Sequence, residues 1–358
     1  MEQIPGNKGF LRNSWYVAAF DNEVGSEPLA RMFLNEPVVL YRDEAGAAVA
    51  LEDRCCHRHL PLSQGNVIGD VLQCGYHGLE FDRTGACVRV PGQSQIPPEA
   101  KIRSYPVTEK WNWIWIWMGD PARADESLIP DWHWVEDEGW RTVKGNGGKP
   151  LPVDCNYQLV SDNLLDISHL SYVHTSSIGN GAIMDFPIKT ERLNREIRMS
   201  RIVMDRPPAP FWGWAGKFKG NVDRWLVTSC EMPAFVVNDA VSVELGTDMR
   251  AGHRDHGVEM RVLNAPTPET DTTCHYFYAH ARNFGLDDPD VQNAYLTQFT
   301  EVFLEDKFVL EGQQRMMNLK PGATEIDINS DAPSIAARRL LGELIDAEQA
   351  ELMSGAAE

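Results

Sequence analysis

The chain has 358 residues, 43% of them hydrophobic and 24% charged, and a formal charge of −19. These values describe a globular protein with room for two domains and a substantial core, and the acidic balance argues against nucleic acid or an anionic membrane as partner. Seven cysteines, an odd number scattered along the chain, do not make a disulfide framework, and no apolar run approaches the roughly 20 residues that span a bilayer.

From about residue 10 to 120 the pattern is short β-rich runs broken by turn residues, as at 14–18, 37–41 and 47–51. The run 111–118 (WNWIWIWM) is apolar at nearly every position, which predicts a strand covered on both faces with its tryptophans in the core. Within this segment stand Cys55 and His57, then, after a 16-residue gap, Cys74 and His77. Two thiolates and two imidazoles are the ligand set of a Rieske [2Fe–2S] centre, in which two cysteines hold one iron and two histidines the other. Pro61, Gly65 and Gly78 beside them suit two tight loops pinching a cluster. A zinc site uses the same ligand types, but its pairs are usually two to four residues apart. Cys56 and His59 also read as a pair, with a poorer fit to the Rieske spacing.

The turn-rich stretch 119–131 marks a boundary, so the expected domains are 10–125 and 126–358. Beyond it, strands are predicted near 198–204, 226–235, 257–264 and 274–280, and helices over about 155–173, 287–315 and 333–353. The stretches 145–148 and 207–210 read as loops.

A second group of polar residues lies in the first predicted helix. Asn163, Asp166 and His169 recur every third residue and share one face, and a metal would satisfy His169 if that face is buried. His169 and His174 are about 140° apart on an ideal helix, so they share a metal only where the helix bulges or ends between them. For a third ligand, Leu296, Phe299, Phe303, Asp306 and Leu310 repeat at helical spacing and put Asp306 on an apolar stripe. Glu305 has a weaker version of the same case. Two histidines and one carboxylate leave adjacent positions open, as in non-haem Fe(II) oxygenases.

These motifs together resemble the Rieske non-haem iron oxygenases, most closely the vanillate and dicamba O-demethylase type. Besides the cluster motif, the resemblance rests on the run from Arg12 to Ala19, on Asp154 to Tyr157, and on the run from Asp162 to Asp166. It continues through Tyr172 to Gly179, Pro207 to Trp212, Tyr276 to Tyr278, Arg282 to Phe284, and Glu305 to Lys307. The resemblance implies an α+β protein: an N-terminal all-β Rieske domain followed by a catalytic domain of helices and antiparallel sheet, helix-grip-like. It implies that Cys55, His57, Cys74 and His77 hold the cluster, and that His169, His174 and Asp306 hold a mononuclear Fe(II). It further implies a head-to-tail homotrimer in which Asp166 hydrogen-bonds His169 and the neighbouring subunit's His77, with Asn163 supporting the iron site. Cys56 and His59 depart from the family, where proline and glycine or another small residue are common.

The expected activity is that of an oxygenase component that activates dioxygen and removes an O- or N-methyl group from a small aromatic compound. Electrons come from NAD(P)H through a flavin reductase, directly or by way of a ferredoxin. Methyl-group hydroxylation, or ring hydroxylation or dihydroxylation, is the alternative outcome at the same iron. No single arginine stands out as a clamp for an acidic substrate. A pure electron carrier needs only the first third of the chain, and a zinc-stabilised binding module explains neither the spacing nor the second site. The start Met1-Glu2-Gln3-Ile4-Pro5 lacks the basic and apolar regions of a signal peptide, so the cytoplasm is the expected location.

Overall fold

The computed structural model describes residues 9–175, 177–179, 181–248, 254 and 257–355. They form two compact units. One is Arg12–Ile129 with Thr267–Asp271; the other is Pro130–Pro266, Thr272–Glu358 and the described part of Met1–Leu11.

The first unit consists of antiparallel strands and short 3-10 turns, with no α-helix among its described residues. Trp15–Phe20 pairs with Trp113–Trp117, which pairs in turn with Val107–Lys110. Every residue of Trp113–Trp117 is buried, so the fully apolar run is the doubly covered strand that its sequence predicts. Trp117 meets Trp15 edge-on at 5.5 Å between ring centres, and Trp113 meets Phe20 at 5.0 Å. A second sheet runs Leu29–Phe33, Glu36–Arg42, Ala48–Glu52, Ser104–Tyr105. Its first hairpin turns on Leu34 and Asn35, both at positive φ, the geometry whose twist matches that of the flanking strands. A third, small sheet joins Asn66–Ile68, Val71–Gln73, Glu80–Phe81 and Cys87–Arg89. The two cysteine–histidine loops leave the ends of Ala48–Glu52 and Val71–Gln73.

In the second unit one broad sheet carries the order Arg141–Lys144, Thr273–Arg282, Val258–Thr270, Phe235–Glu244, Val222–Glu231, Glu196–Arg206, Lys189–Leu193. Leu151–Val153 also pairs with Thr273–Arg282. Alternate residues of Glu196–Arg206 are buried, as in a strand with one face on the core. Among the described residues four helices complete the unit: α1 (Tyr157–Leu165), α2 (Pro210–Gly216), α3 (Pro289–Leu319) and α4 (Ala332–Gly355). Leu159 and Val160 of α1, Phe299 and Phe303 of α3, and Leu340 and Leu341 of α4 share one core with Ile197, Leu226, Val262 and Tyr276 of the sheet. None of the described helices is long and apolar enough to cross a membrane.

The structure departs from the periodicity reading at identifiable places. Helix α1 stops at Leu165 where a helix to 173 is expected, because Asp166 adopts φ −97°, ψ 93°. Helix α2 forms beyond a run that reads as loop; Pro210 begins it, where a missing N–H costs nothing. Leu296, placed on the buried stripe of α3 by its spacing, is 48% exposed, and Tyr295 takes that position at 2%. Phe10 and Leu11 belong to the core of the second unit, with Phe10 6.2 Å from Tyr157. They are too few to carry a periodic signal of their own.

Candidate metal centres

The two loops of the first unit repeat one backbone design. Cys55 N–H donates to Leu60 O (2.9 Å) and His59 N–H returns to Cys55 O (3.0 Å); Cys74 N–H donates to Leu79 O (2.8 Å) and Gly78 N–H to Cys74 O (3.0 Å). The fifth position of each loop is left-handed: His59 at φ 62° and Gly78 at φ 74°. Glycine takes that conformation freely, whereas a side chain is strained in it. His59→Gly is therefore expected to leave cluster content unchanged and raise the stability of the first unit by about 0.5 kcal/mol, read as a small upward shift in thermal unfolding. The loops also lie close together, since a Cβ on Gly65 would strike the Gln73 carbonyl. Asp53 secures the first loop by accepting from Ser63 N–H (2.7 Å) and Ser63 Oγ–H (2.6 Å).

This design brings the four expected donors together as two pairs, thiol with thiol and ring with ring. Cys55 and Cys74 are buried, at 1% and 2% exposure. Burial pushes the Cys55 thiol up to about 11, against a backbone hydrogen bond at His57 that lowers it, and the adjoining Cys74 thiol adds to the rise. His57 and His77 are exposed, with ring centres 4.6 Å apart. Two buried sulfurs and two exposed imidazoles fit the ligand set of a Rieske cluster. Cys56 is partly buried against the same apolar cluster, and His59 is exposed.

The second centre is assembled by the break at Asp166. Asn156 caps α1 by accepting from Gln158 N–H (2.8 Å), and Asp166 caps the following 3-10 turn (Ile167–Ser171) by accepting from Ser168 N–H (2.8 Å). The change of direction brings His169 and His174 to 5.2 Å between ring centres, which an unbroken helix could not do. Asp306, 7% exposed on α3, places Oδ1 3.0 Å from His174 Nε2 and 3.5 Å from His169 Nε2. Asn163 Nδ2 donates to the same oxygen at 3.2 Å.

Each histidine is oriented through its other nitrogen. His174 Nδ1 meets Glu305 Oε2 at 2.6 Å, and His169 Nδ1 meets the backbone carbonyl of Asp166. In the tautomer that donates Nδ1–H from both rings, both Nε2 lone pairs converge with the Asp306 carboxylate, and a cation would complete the set. Burial opposes charging His174, but Asp306 and Glu305 outweigh it and raise its pKa. The ligand atoms of His169, His174 and Asp306 all lie within 4.8 Å of one another. Glu305, the weaker candidate for third ligand, instead positions His174. Within this one chain the contact to His169 Nδ1 comes from the Asp166 main-chain carbonyl, and the Asp166 carboxylate accepts from Ser168 N–H. Glu305→Ala is expected to weaken iron binding about 10- to 100-fold in competition with a chelator, as loss of a partner behind a metal ligand typically does.

A cavity of about 100 Å³ opens beside this triad, lined by all three candidate ligand residues and by apolar walls that include Leu226, Met260 and Phe299. This is near the scale of apolar cavities that hold one aromatic ring. Its polar lining comes mainly from the sheet: Arg224, Thr228, Asn238 and His280. Asn238 is engaged, donating to Thr228 Oγ1 at 2.8 Å. Burial, then Arg282, pushes His280 down to about 3, so its ring is neutral. Arg224 is 2% exposed, and burial lowers it to about 10, which leaves it charged at neutral pH. The sequence contains no signal for these wall residues, because β-strand alternation marks a buried face without saying that the face borders a cavity.

Comparisons with known proteins agree with this geometry. Residues 14–106 match the Rieske [2Fe-2S] domain family, and residues 153–347 match the vanillate O-demethylase oxygenase C-terminal domain. The chain is 40% identical to the iron–sulfur subunit TsaM1 of the toluene-4-sulfonate monooxygenase system of Comamonas testosteroni, over 95% of this chain and 98% of that one. It is 33% identical to the oxygenase component of a chloroacetanilide N-alkylformylase from Rhizorhabdus wittichii, over 95% and 97%. A crystal structure of dicamba monooxygenase bound to dicamba superimposes with a TM-score of 0.86 at 36% identity, covering 96% of this chain and 99% of that one. The chain therefore belongs to the Rieske non-haem iron oxygenases, as an oxygenase component with a C-terminal domain of the vanillate O-demethylase type.

Proposed function

We propose that this protein is the terminal oxygenase of a multicomponent monooxygenase that removes an O- or N-alkyl group from a small aromatic compound. The observation that carries the reading is the pairing, on one chain, of a cysteine–histidine cluster site with a two-histidine, one-carboxylate site opening on a ring-sized cavity. Cys55, His57, Cys74 and His77 hold the [2Fe–2S] cluster, and His169, His174 and Asp306 hold Fe(II). The cluster passes single electrons, and the Fe(II) supplies dioxygen activation. The protein's own contribution is to orient both histidines, exclude water with apolar walls and hold the substrate.

Overall, one oxygen atom enters a carbon–hydrogen bond of the substrate and the other leaves as water. Two electrons from NAD(P)H, delivered by a flavin reductase or through a ferredoxin, and two protons complete the balance. On an O- or N-methyl carbon the product is a hemiacetal or hemiaminal, which loses formaldehyde. The working assembly in this reading is a homotrimer in the cytoplasm, with the cluster of one subunit serving the iron of the next and the Asp166 carboxylate linking them.

A second reading is insertion of oxygen at a methyl carbon without loss of a fragment. It is favoured by the relative named for toluene-4-sulfonate, a molecule with no O- or N-alkyl group to remove. Methoxybenzoates, N-alkyl aromatics and toluene-4-sulfonate, each with reductase and NADH, separate the outcomes. Formaldehyde equimolar with oxygen consumed supports dealkylation; a hydroxymethyl product without formaldehyde supports the second reading. Oxygen uptake that no aromatic compound stimulates would overturn both.

A further inference from the structure

We propose that Arg224 is an anion clamp, and that the substrate is an aromatic acid whose carboxylate or sulfonate group it grips. This rests on the oxygenase reading above and names the chemical class that reading leaves open. Family membership does not settle the point, since one relative is named for an anion, toluene-4-sulfonate, and another for chloroacetanilides, which are uncharged.

Arg224 sits on Val222–Glu231 with Val203 and Ser242 as cross-strand neighbours, and it lines the same cavity as the metal triad. Its guanidinium carbon lies 5.9 Å from the centre of the Trp212 ring, and its buried Nε finds no acceptor among the described residues. The facing Ser242 hydroxyl is also buried without a partner. Every other charged group of the cavity is engaged. Asp239 is bound by Arg254 (2.9 Å) and Arg261 (2.6 Å), and Asp306 serves the histidines. Among the described residues no carboxylate pairs with Arg224, and burial is the cause of its lowered pKa.

A permanent cation shut away from water without a counter-ion is unfavourable unless something completes it. The planar guanidinium fork matches the paired oxygens of a carboxylate or sulfonate and gives a neutral ligand much less. On a chain whose net charge is −19, one positive point inside an apolar cavity also gives an incoming anion a place that the acidic surface does not.

Calorimetric titration of the holoenzyme with toluene-4-sulfonate and 4-methoxybenzoate, beside toluene-4-sulfonamide and 4-methoxybenzamide, tests the clamp. The wild-type protein is expected to bind at least one acid about tenfold or more tightly than its amide, and the preferred acid identifies the head group. Arg224→Met is expected to abolish that preference while still binding the amides; Arg224→Lys is expected to retain part of it. Amides bound as tightly as acids by the wild-type protein would overturn the clamp, as would a preference that survives in Arg224→Met. Oxygen uptake with reductase and NADH is read separately: amides consumed as well as acids would remove the clamp and leave the oxygenase reading standing. Uptake stimulated by none of the four, together with tight Arg224-dependent binding of an acid, would support the clamp and remove that reading.

Discussion

His174→Ala is expected to yield a protein with two irons and two acid-labile sulfides per chain in place of three irons and two sulfides. Its cluster spectrum should be unchanged and its turnover reduced about a thousandfold or more. The His174 ring is fully buried and holds one ligand nitrogen 3.0 Å from Asp306 Oδ1, so no solvent-borne group replaces it easily. Losing the metal removes several kcal/mol of barrier lowering, which is the origin of that factor. The excised ring also leaves a cavity costing a few kcal/mol, so the variant's melting temperature should be compared with wild type. His169→Ala gives a second test with less structural disturbance, because that side chain is 18% exposed. Full iron content with normal turnover in both variants would remove the assignment of the mononuclear site.

Asp166→Asn separates a structural from an electron-transfer role. The Asp166 side chain caps the 3-10 turn through Ser168 N–H, and asparagine caps about as well as aspartate. Its main-chain carbonyl, which holds His169 Nδ1, is untouched. Both metal centres and the fold are therefore expected to survive. If the carboxylate links this iron to the neighbouring subunit's cluster, steady-state turnover should fall by about a hundredfold, in line with loss of an outer partner of metal ligands. A stopped-flow trace should then show normal reduction of the cluster but slow reoxidation in the presence of substrate and oxygen. Unchanged reoxidation would count against the trimeric route and leave both metal sites in place.

How far these sites were legible depended on the range over which their residues act. Cys55, His57, Cys74 and His77 lie on two short loops with one repeated hydrogen-bond pattern, so linear spacing carries nearly all of the information. The doubly buried Trp113–Trp117 strand was legible because burial on both faces removes polar alternation. His169 and His174 were recognisable only as a pair needing a helix end between them; Asp166 supplies that end through its dihedral angles and its cap on Ser168. Asp306 stood out as a charge on an apolar stripe, whereas Glu305 next to it could not be given a role without its 2.6 Å contact to His174.

What the amino-acid order determined by itself was the inventory of chemistry: a candidate cluster site, two histidines with a carboxylate, an all-β part and a larger helix-and-sheet part. Such signals are local, written in spacing, turn residues and periodicity. The tertiary structure alone decided which atoms orient those ligands and what surrounds them. Arg224 shows why: in the sequence it is one of many arginines on strands, and its lack of a counter-ion among the described residues exists only once neighbouring strands and α3 have closed the cavity around it. Desolvation and pairing are properties of assembled surfaces, and no window of adjacent residues encodes them.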